Sequence, residues 1–171
     1  MKRCNIYKTL ENAVLQHAKN ADFDCLKVVI REARKKEKMN EALFGDRDEH
    51  GWAALHYAAF QNRSEMVEFL LANKANIEIK TDADHKFIAK QSTPLIIASK
   101  REHTLLATKV FIPTNADVQA ENGEGEDCAY FATVNEDVPL LKLILTRYPS
   151  VARKAYEKNG KILRTRNRLI H

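Results

Sequence analysis

The side chains of this chain best suited to chemistry are six histidines, three cysteines and a knot of acids around two glycines. Asn122-Gly123-Glu124-Gly125 comes nearest to a phosphate-cradling loop. It lacks the lysine and the following hydroxyl residue that such a loop uses, and acids surround it. Glu121, Glu124, Glu126 and Asp127 do not follow the ordered ligand spacing of a calcium loop. His50 and His56 stand six apart, His85 stands further on, and none pairs with a cysteine at zinc spacing. No Ser–His–Asp or Cys–His arrangement follows from spacing. The residues therefore predict no enzyme, no cofactor and no metal. Cys4, Cys25 and Cys128 are an odd count without paired spacing, which reads as reduced thiols in the cytoplasm or nucleus. Cys25 and Cys128 lie beside apolar residues and are expected to pack rather than react.

The elements that carry these residues must come from a chain of 171 residues, 44% hydrophobic and 30% charged, long enough for one core. No apolar run approaches the ~20 residues that span a bilayer, and the N-terminus has no continuous apolar stretch of a signal peptide. Charge is uneven. Residues 153–168 hold seven cations against Glu157 alone, so the tail carries +6 of the net +5 and the first 150 residues about −1.

One unit recurs along the chain: a short helix rich in small residues, a turn, and a longer apolar helix. It is clearest at Leu55-His56-Tyr57-Ala58-Ala59 with Met66 to Leu71 behind it. It returns 40 residues on at Thr93-Pro94-Leu95-Ile96-Ile97-Ala98, another 34 on at Ala129-Tyr130-Phe131-Ala132, and 41 back at Val14-Leu15-Gln16-His17-Ala18. Ala75-Asn76-Ile77 and Ala116-Asp117-Val118 close two of the copies.

These motifs resemble the ankyrin repeat, whose pattern runs G-x-T-P-L-H-x-A-A, an apolar helix ending in L-L, then G-A-D-V. The resemblance implies an all-α solenoid of stacked helix-turn-helix units with β-hairpin-like fingers, spanning residues 1–152. Its repeats would lie near 8–46, 47–80, 89–120 and 123–150, with 153–171 as a basic C-terminal cap or tail. It also implies a structural core of Leu55, His56, Ala58, Ala59, Val67, Leu70, Leu71, Thr93, Pro94, Leu95, Ala98, Ala132, Leu141 and Ile144. In that reading Ala58 and Ala59 are small because the first helices stack closely, and His56 is a structural imidazole bonding between units.

The chain departs from the family's 33-residue period by insertions at about 35–48 and 81–91. The first is expected to lengthen the second helix of repeat one, the second to enter the finger between repeats two and three. Ala53-Ala54 replaces Thr-Pro, which removes a capping hydroxyl and a preset φ. His17, at a small-residue position, is expected at an exposed edge.

Ankyrin arrays present fingers and first helices on a concave side. Aligned by Gly51 and Leu55, the sequence puts Glu49, His50, Trp52, Phe60 and Gln61 outward in repeat two. Lys90, Ser92, Lys100 and Arg101 take those places in repeat three, and Glu124, Glu126, Val134 and Asn135 in repeat four. Trp52 and Phe60 are the aromatic candidates for contact with a partner, the alternative for Trp52 being that it folds over the inserted loop and packs. Phe87 and Ile88 in the inserted finger either tuck in or face a partner in the same way. The reading that follows is a monomeric, non-enzymatic adaptor or inhibitor that binds another protein of mixed charge. Two further readings stand beside it: a tail (Arg153–Arg168) that docks on nucleic acid or anionic membrane, and an effector of bacterial or viral origin acting on a host protein in the host cytoplasm.

Overall fold

The computed structural model describes residues 9–38, 41–149 and 151. Helix α1 (Leu10–Lys19) turns back into α2 (Phe23–Lys35), and a short α3 (Glu41–Gly45) follows. The second pair is α4 (Ala54–Phe60) and α5 (Ser64–Ala72). In the third, α6 (Pro94–Lys100) precedes α7 (Thr104–Leu106), which widens into a π-helical turn over Ala107–Phe111. The fourth is α8 (Cys128–Val134) and α9 (Val138–Arg147). Among the described residues the only β pairing is the antiparallel bridge His85–Ile88.

The helix starts follow from local chemistry. Thr9, Asp22, Thr93, Asp127 and Asp137 each place a side-chain oxygen on an amide of the first turn, satisfying donors the helix leaves open. Ala53 has no such oxygen. Its role is taken in reverse by His56, whose Nδ1 accepts the Ala53 N–H at 2.9 Å. The lost hydroxyl is thus offset by the imidazole three residues on.

The first helices α1, α4, α6 and α8 pack side by side in chain order, each backed by its own second helix. Ala58, Ala59, Ala98 and Ala132 are all fully buried in these contacts. Backbone proximity at the stacking layer leaves no volume for a larger side chain. The layers between are filled by Leu55, Val67, Leu70, Leu95 and Ile144, with Leu71 and Leu141 half-buried at the margin. The wide π turn lets Ala107, Val110 and Phe111 all face this core.

Three expectations are corrected here. The first insertion does not lengthen α2, which stops at Lys35 and is followed by a left-handed Glu37. It makes the separate α3 instead, whose Leu43 and Phe44 are buried. His17 is not on an exposed edge; it is buried with Nδ1 3.9 Å from the Asp22 carboxylate. Cys25 is disulfide-bonded rather than reduced, while Cys128 is a free thiol, buried as expected, and its pKa is pushed up by that burial. Cys4 and the basic tail 153–171 lie outside the described residues.

Candidate interaction surface

The finger before α4 is built on one carboxylate. Asp48, whose side chain is only 6% exposed, accepts the His50 and Trp52 amides on Oδ1 at 3.0 and 3.1 Å. Its Oδ2 takes the Lys19 ammonium at 3.1 Å and the Tyr57 hydroxyl. Burial alone would raise its pKa, but the Tyr57 hydroxyl, the Trp52 amide, Lys19 and the His50 amide together hold it at about 2. Burial and then the Asp48 charge push the Tyr57 hydroxyl well above its usual value. Asp48 therefore ties the finger to both α1 and α4.

The second insertion forms a pinned finger. Thr81 and Ser92 close its base: the Thr81 amide donates to the Ser92 carbonyl at 3.1 Å, and the Ser92 hydroxyl donates to Ala89 O at 2.7 Å. Higher up, His85 and Ile88 exchange two amide bonds of 2.9 Å around Lys86 and Phe87, both at positive φ (50° and 66°). That is the geometry of a type I′ turn, a place where glycine or asparagine is usual. Ile88 plugs into the core at 1% exposure, whereas Phe87 stands out at 95%. The neighbouring fingers fit against its base through glycines. Gly51 (φ +71°) lets Asp82 approach so closely that a Cβ would sit 2.5 Å from Asp82 Cβ, and a Cβ on Gly123 would meet Lys90 Cγ at 2.8 Å.

Along the ends of the first helices, cations lie over rings. Lys86 Nζ is 5.2 Å from the Phe60 centroid, the Arg101 guanidinium 4.5 Å from the same ring, and Lys100 Nζ 5.0 Å from that of Phe131. The residues that end these helices also reach back one unit. Gln61 Nε2 donates to Lys19 O at 2.8 Å, and Asn135 Nδ2 donates to Ser99 O at 3.0 Å. Between them, Arg101 takes the equivalent place on Phe60. His56 is fully buried and bridges Ala53 to Ile79 O at 2.9 Å, its pKa lowered by that burial to about 4.

The family model described as ankyrin repeats (3 copies) matches residues 2–82. That stretch of the chain carries the ankyrin-repeat pattern. A curated relative, "Calmodulin-binding transcription activator 5" of Arabidopsis thaliana, is 29% identical over 125 residues. The alignment takes in 67% of this chain but only 14% of that relative's length. Ankyrin repeats are protein–protein interaction modules, and the stacked helix pairs described above are the all-α solenoid that the resemblance implied.

On this scaffold the sequence-predicted contact residues separate into three groups. Glu49, Phe87, Lys90, Arg101 and Glu124 are exposed, and His50, Phe60, Lys100 and Glu126 are half-exposed. Gln61 and Asn135 are half-exposed too, but their amides are spent on the preceding unit. For Trp52 the packing alternative holds and the outward position does not: it is fully buried, walled by Tyr57, Phe60 and His85 with ring centroids 5.1 to 5.3 Å away. Its indole Nε1 has no hydrogen-bond partner. Ser92 is likewise buried rather than outward. Sequence reasoning missed Asp48, Tyr57 and Lys86. A short-range signal existed only for Asp48, two residues before His50 and four before Trp52, the spacing of a carboxylate that captures loop amides.

Two other features lie off this surface. His17, Asp22 and Cys25 bring a ring nitrogen, a carboxylate oxygen and a sulfur within 4.8 Å of one another. The sulfur is committed to a disulfide and Asp22 caps α2, so the cluster is structural. On the outer side, a groove of about 670 Å³ lies between Leu71 and Ile77 on one wall and Val110 and Thr114 on the other.

Proposed function

We propose that this chain is a non-enzymatic binding module whose partner is a protein seated between the inserted finger and the ends of α4, α6 and α8. The observation that carries the reading is Phe87, almost fully exposed at the tip of a hairpin whose base is bonded on both sides. A large ring on a pinned turn offers buried area to a partner at little ordering cost, which is how binding hot spots are built. Beside it, Lys86, Arg101 and Lys100 form a cationic stripe over rings. Glu49 and Glu124 stand exposed on the flanking fingers. A peptide or helix with acidic residues at its centre complements that arrangement.

The test compares the unsubstituted chain with Phe87→Ala and with Arg101→Glu as bait in quantitative affinity capture. Both substitutions fall on exposed residues and are expected to leave the helical spectrum and melting intact. A partner lost from both variants supports this surface. A partner retained by both places binding elsewhere, and the reading fails. Adaptor and inhibitor roles divide at the next step, by whether the captured partner keeps its own activity.

A further inference from the structure

The ring of Phe60 is approached by two cations from different parts of the chain. Lys86 comes from the tip of the inserted finger, its Nζ 5.2 Å from the ring centroid. Arg101 comes from the end of α6, its Cζ 4.5 Å from the same point. The two head groups therefore stand no further apart than about 10 Å, roughly the Debye length at 0.1 M salt, and repel each other. The ring between them is fixed. Trp52 meets it edge to face at 5.3 Å, and the Phe60 carbonyl accepts a hydrogen bond from His103 Nε2 at 3.0 Å. Lys86 Nζ also lies 5.7 Å from the Tyr57 centroid, with Lys19 Nζ 5.4 Å from that second ring.

What this pair lacks is counter-charge. Lys19 is answered by Asp48 at 3.1 Å, but neither Lys86 nor Arg101 has an ion pair among the described residues. The nearby carboxylates are engaged elsewhere. Asp82 pairs with Arg47 at 3.3 Å, Asp84 accepts the Lys90 amide at 2.6 Å, and Glu49 lies 3.5 Å from His50 Nε2. Glu102, which follows Arg101 in the chain, is exposed and makes no ion pair. Lys100, on its other side, lies over Phe131 and adds to the positive field. A guanidinium held over a ring face gives up none of its N–H donors, so Arg101 keeps its fork for an anion.

We propose that Lys86 and Arg101, braced on Phe60, receive a phosphorylated side chain of the protein partner. The inference rests on the finger surface proposed above and names the charge that surface takes. Two uncompensated cations call for two negative charges at one point. A glutamate brings one. A phosphomonoester carries about −1.5 to −2 at pH 7 on three terminal oxygens, enough for the fork of Arg101 and the ammonium of Lys86 together. Phe87 adjoins Lys86 and is 95% exposed, so an apolar residue beside the phosphate has a ring to pack on. A peptide supplies such a neighbour, whereas a free phosphate does not.

The test titrates the unsubstituted chain with three blocked tetrapeptides, followed by NMR at the Arg101 Nε–H and the Lys86 and Phe87 amides. In them phosphoserine precedes leucine, glutamate precedes leucine, or phosphoserine precedes glycine. The phosphoserine–leucine peptide is expected to shift these signals saturably and to bind at least about tenfold tighter than the glutamate peptide. Arg101→Gln and Lys86→Gln, both at exposed positions, should each weaken it at least about fivefold. The advantage of leucine over glycine should vanish in Phe87→Ala. Equal affinity for the phosphoserine and glutamate peptides overturns the phosphate and leaves the acidic-partner surface standing. Phosphopeptide binding that survives both glutamine variants, or no saturable shift at millimolar peptide, also overturns it. Inorganic phosphate or vesicles containing phosphatidylinositol 4-phosphate that bind these residues as tightly overturn the protein source. A captured partner that both Phe87→Ala and Arg101→Glu retain removes the surface, and this inference with it.

Discussion

The imidazole of His50 lies flat on that of His85, with ring centroids 3.7 Å apart and planes 9° from parallel. Trp52 stands perpendicular to His85 at 5.3 Å, so the pair is the lid over the chain's sole tryptophan. Burial, His50 and Lys86 all lower the His85 pKa, with Asp48 opposing and Lys19 adding to the lowering. Glu49 lies 3.5 Å from the other ring, at His50 Nε2. Two stacked imidazoles cannot both become cations without repulsion.

Because the folded pKa of His85 is lowered, the unfolded chain binds its proton first as pH falls from about 6.5, and the packed finger loses stability in that window. Trp52 emission is expected to change as the pH is taken down through it. His50→Ala removes the neighbouring charge and should move the midpoint upward. Identical midpoints in the two proteins would show that the stack has no electrostatic consequence.

His56 and Asp48 set a second, deeper acid limit. The folded His56 pKa of about 4 lies below its ordinary 6.5. Stability is therefore whole above 6.5 and falls as pH drops toward 4, by at most about 3 kcal/mol. Asp48 is lowered from 3.8 to about 2, so its contribution persists above 3.8 and is lost between there and 2. Urea midpoints measured from pH 7 to pH 3 should decline most between 6.5 and 4 in the wild type. In His56→Asn that part of the decline should shrink, against a lower stability at pH 7. A flat profile in the wild type would contradict the burial argument.

Trp52 and Phe87 should part company on substitution to alanine. Removing the fully buried indole leaves a cavity between Tyr57, Phe60 and the finger, and costs about 3–5 kcal/mol. Phe87, almost wholly solvated, should change stability by less than about 0.5 kcal/mol. Denaturant unfolding of the two variants decides it. Equal losses would mean that the finger packs down in solution.

What the sequence made legible here was whatever repeats. Ala58, Ala98 and Ala132 recur at one place in the unit, and the structure buries all three for one reason, the close approach of the first helices. His56 was readable as structural because its neighbours fixed its place. Trp52 stayed open between contact and packing because nothing in the repeat calls for it: its wall is completed by His85, 33 residues away in an insertion with no counterpart in the other units. The same insertion split Phe87 from Ile88, one outward and one inward. Only the left-handed turn at Lys86 and Phe87 decides which is which, and neither residue type announces that conformation. The Asp48 hub joins α1, a finger and α4, and partners 29 residues apart leave no periodic trace.

The turns between paired helices make a last prediction. Ala21, Asn62, Glu102 and Glu136 all sit at the same place, just past the first helix of each unit, with φ between 55° and 60°. Only Asn62 among them is a residue that tolerates the left-handed region well. Glu102 is exposed, and its amide bonds to Ser99 O at 3.1 Å, so the backbone and not the side chain defines the turn. Glu102→Gly removes the Cβ clash, worth roughly 1–2 kcal/mol, and returns part of it as extra freedom in the unfolded chain. The net expectation is a gain of about 0.5–1 kcal/mol, or about 1–4 °C in Tm. Asn62→Ala, the mirror experiment in the second unit, should lose a similar amount. If Glu102→Gly instead melts lower than wild type, the turn is not held left-handed in solution, and the spacing between the third unit's helices must be set in some other way.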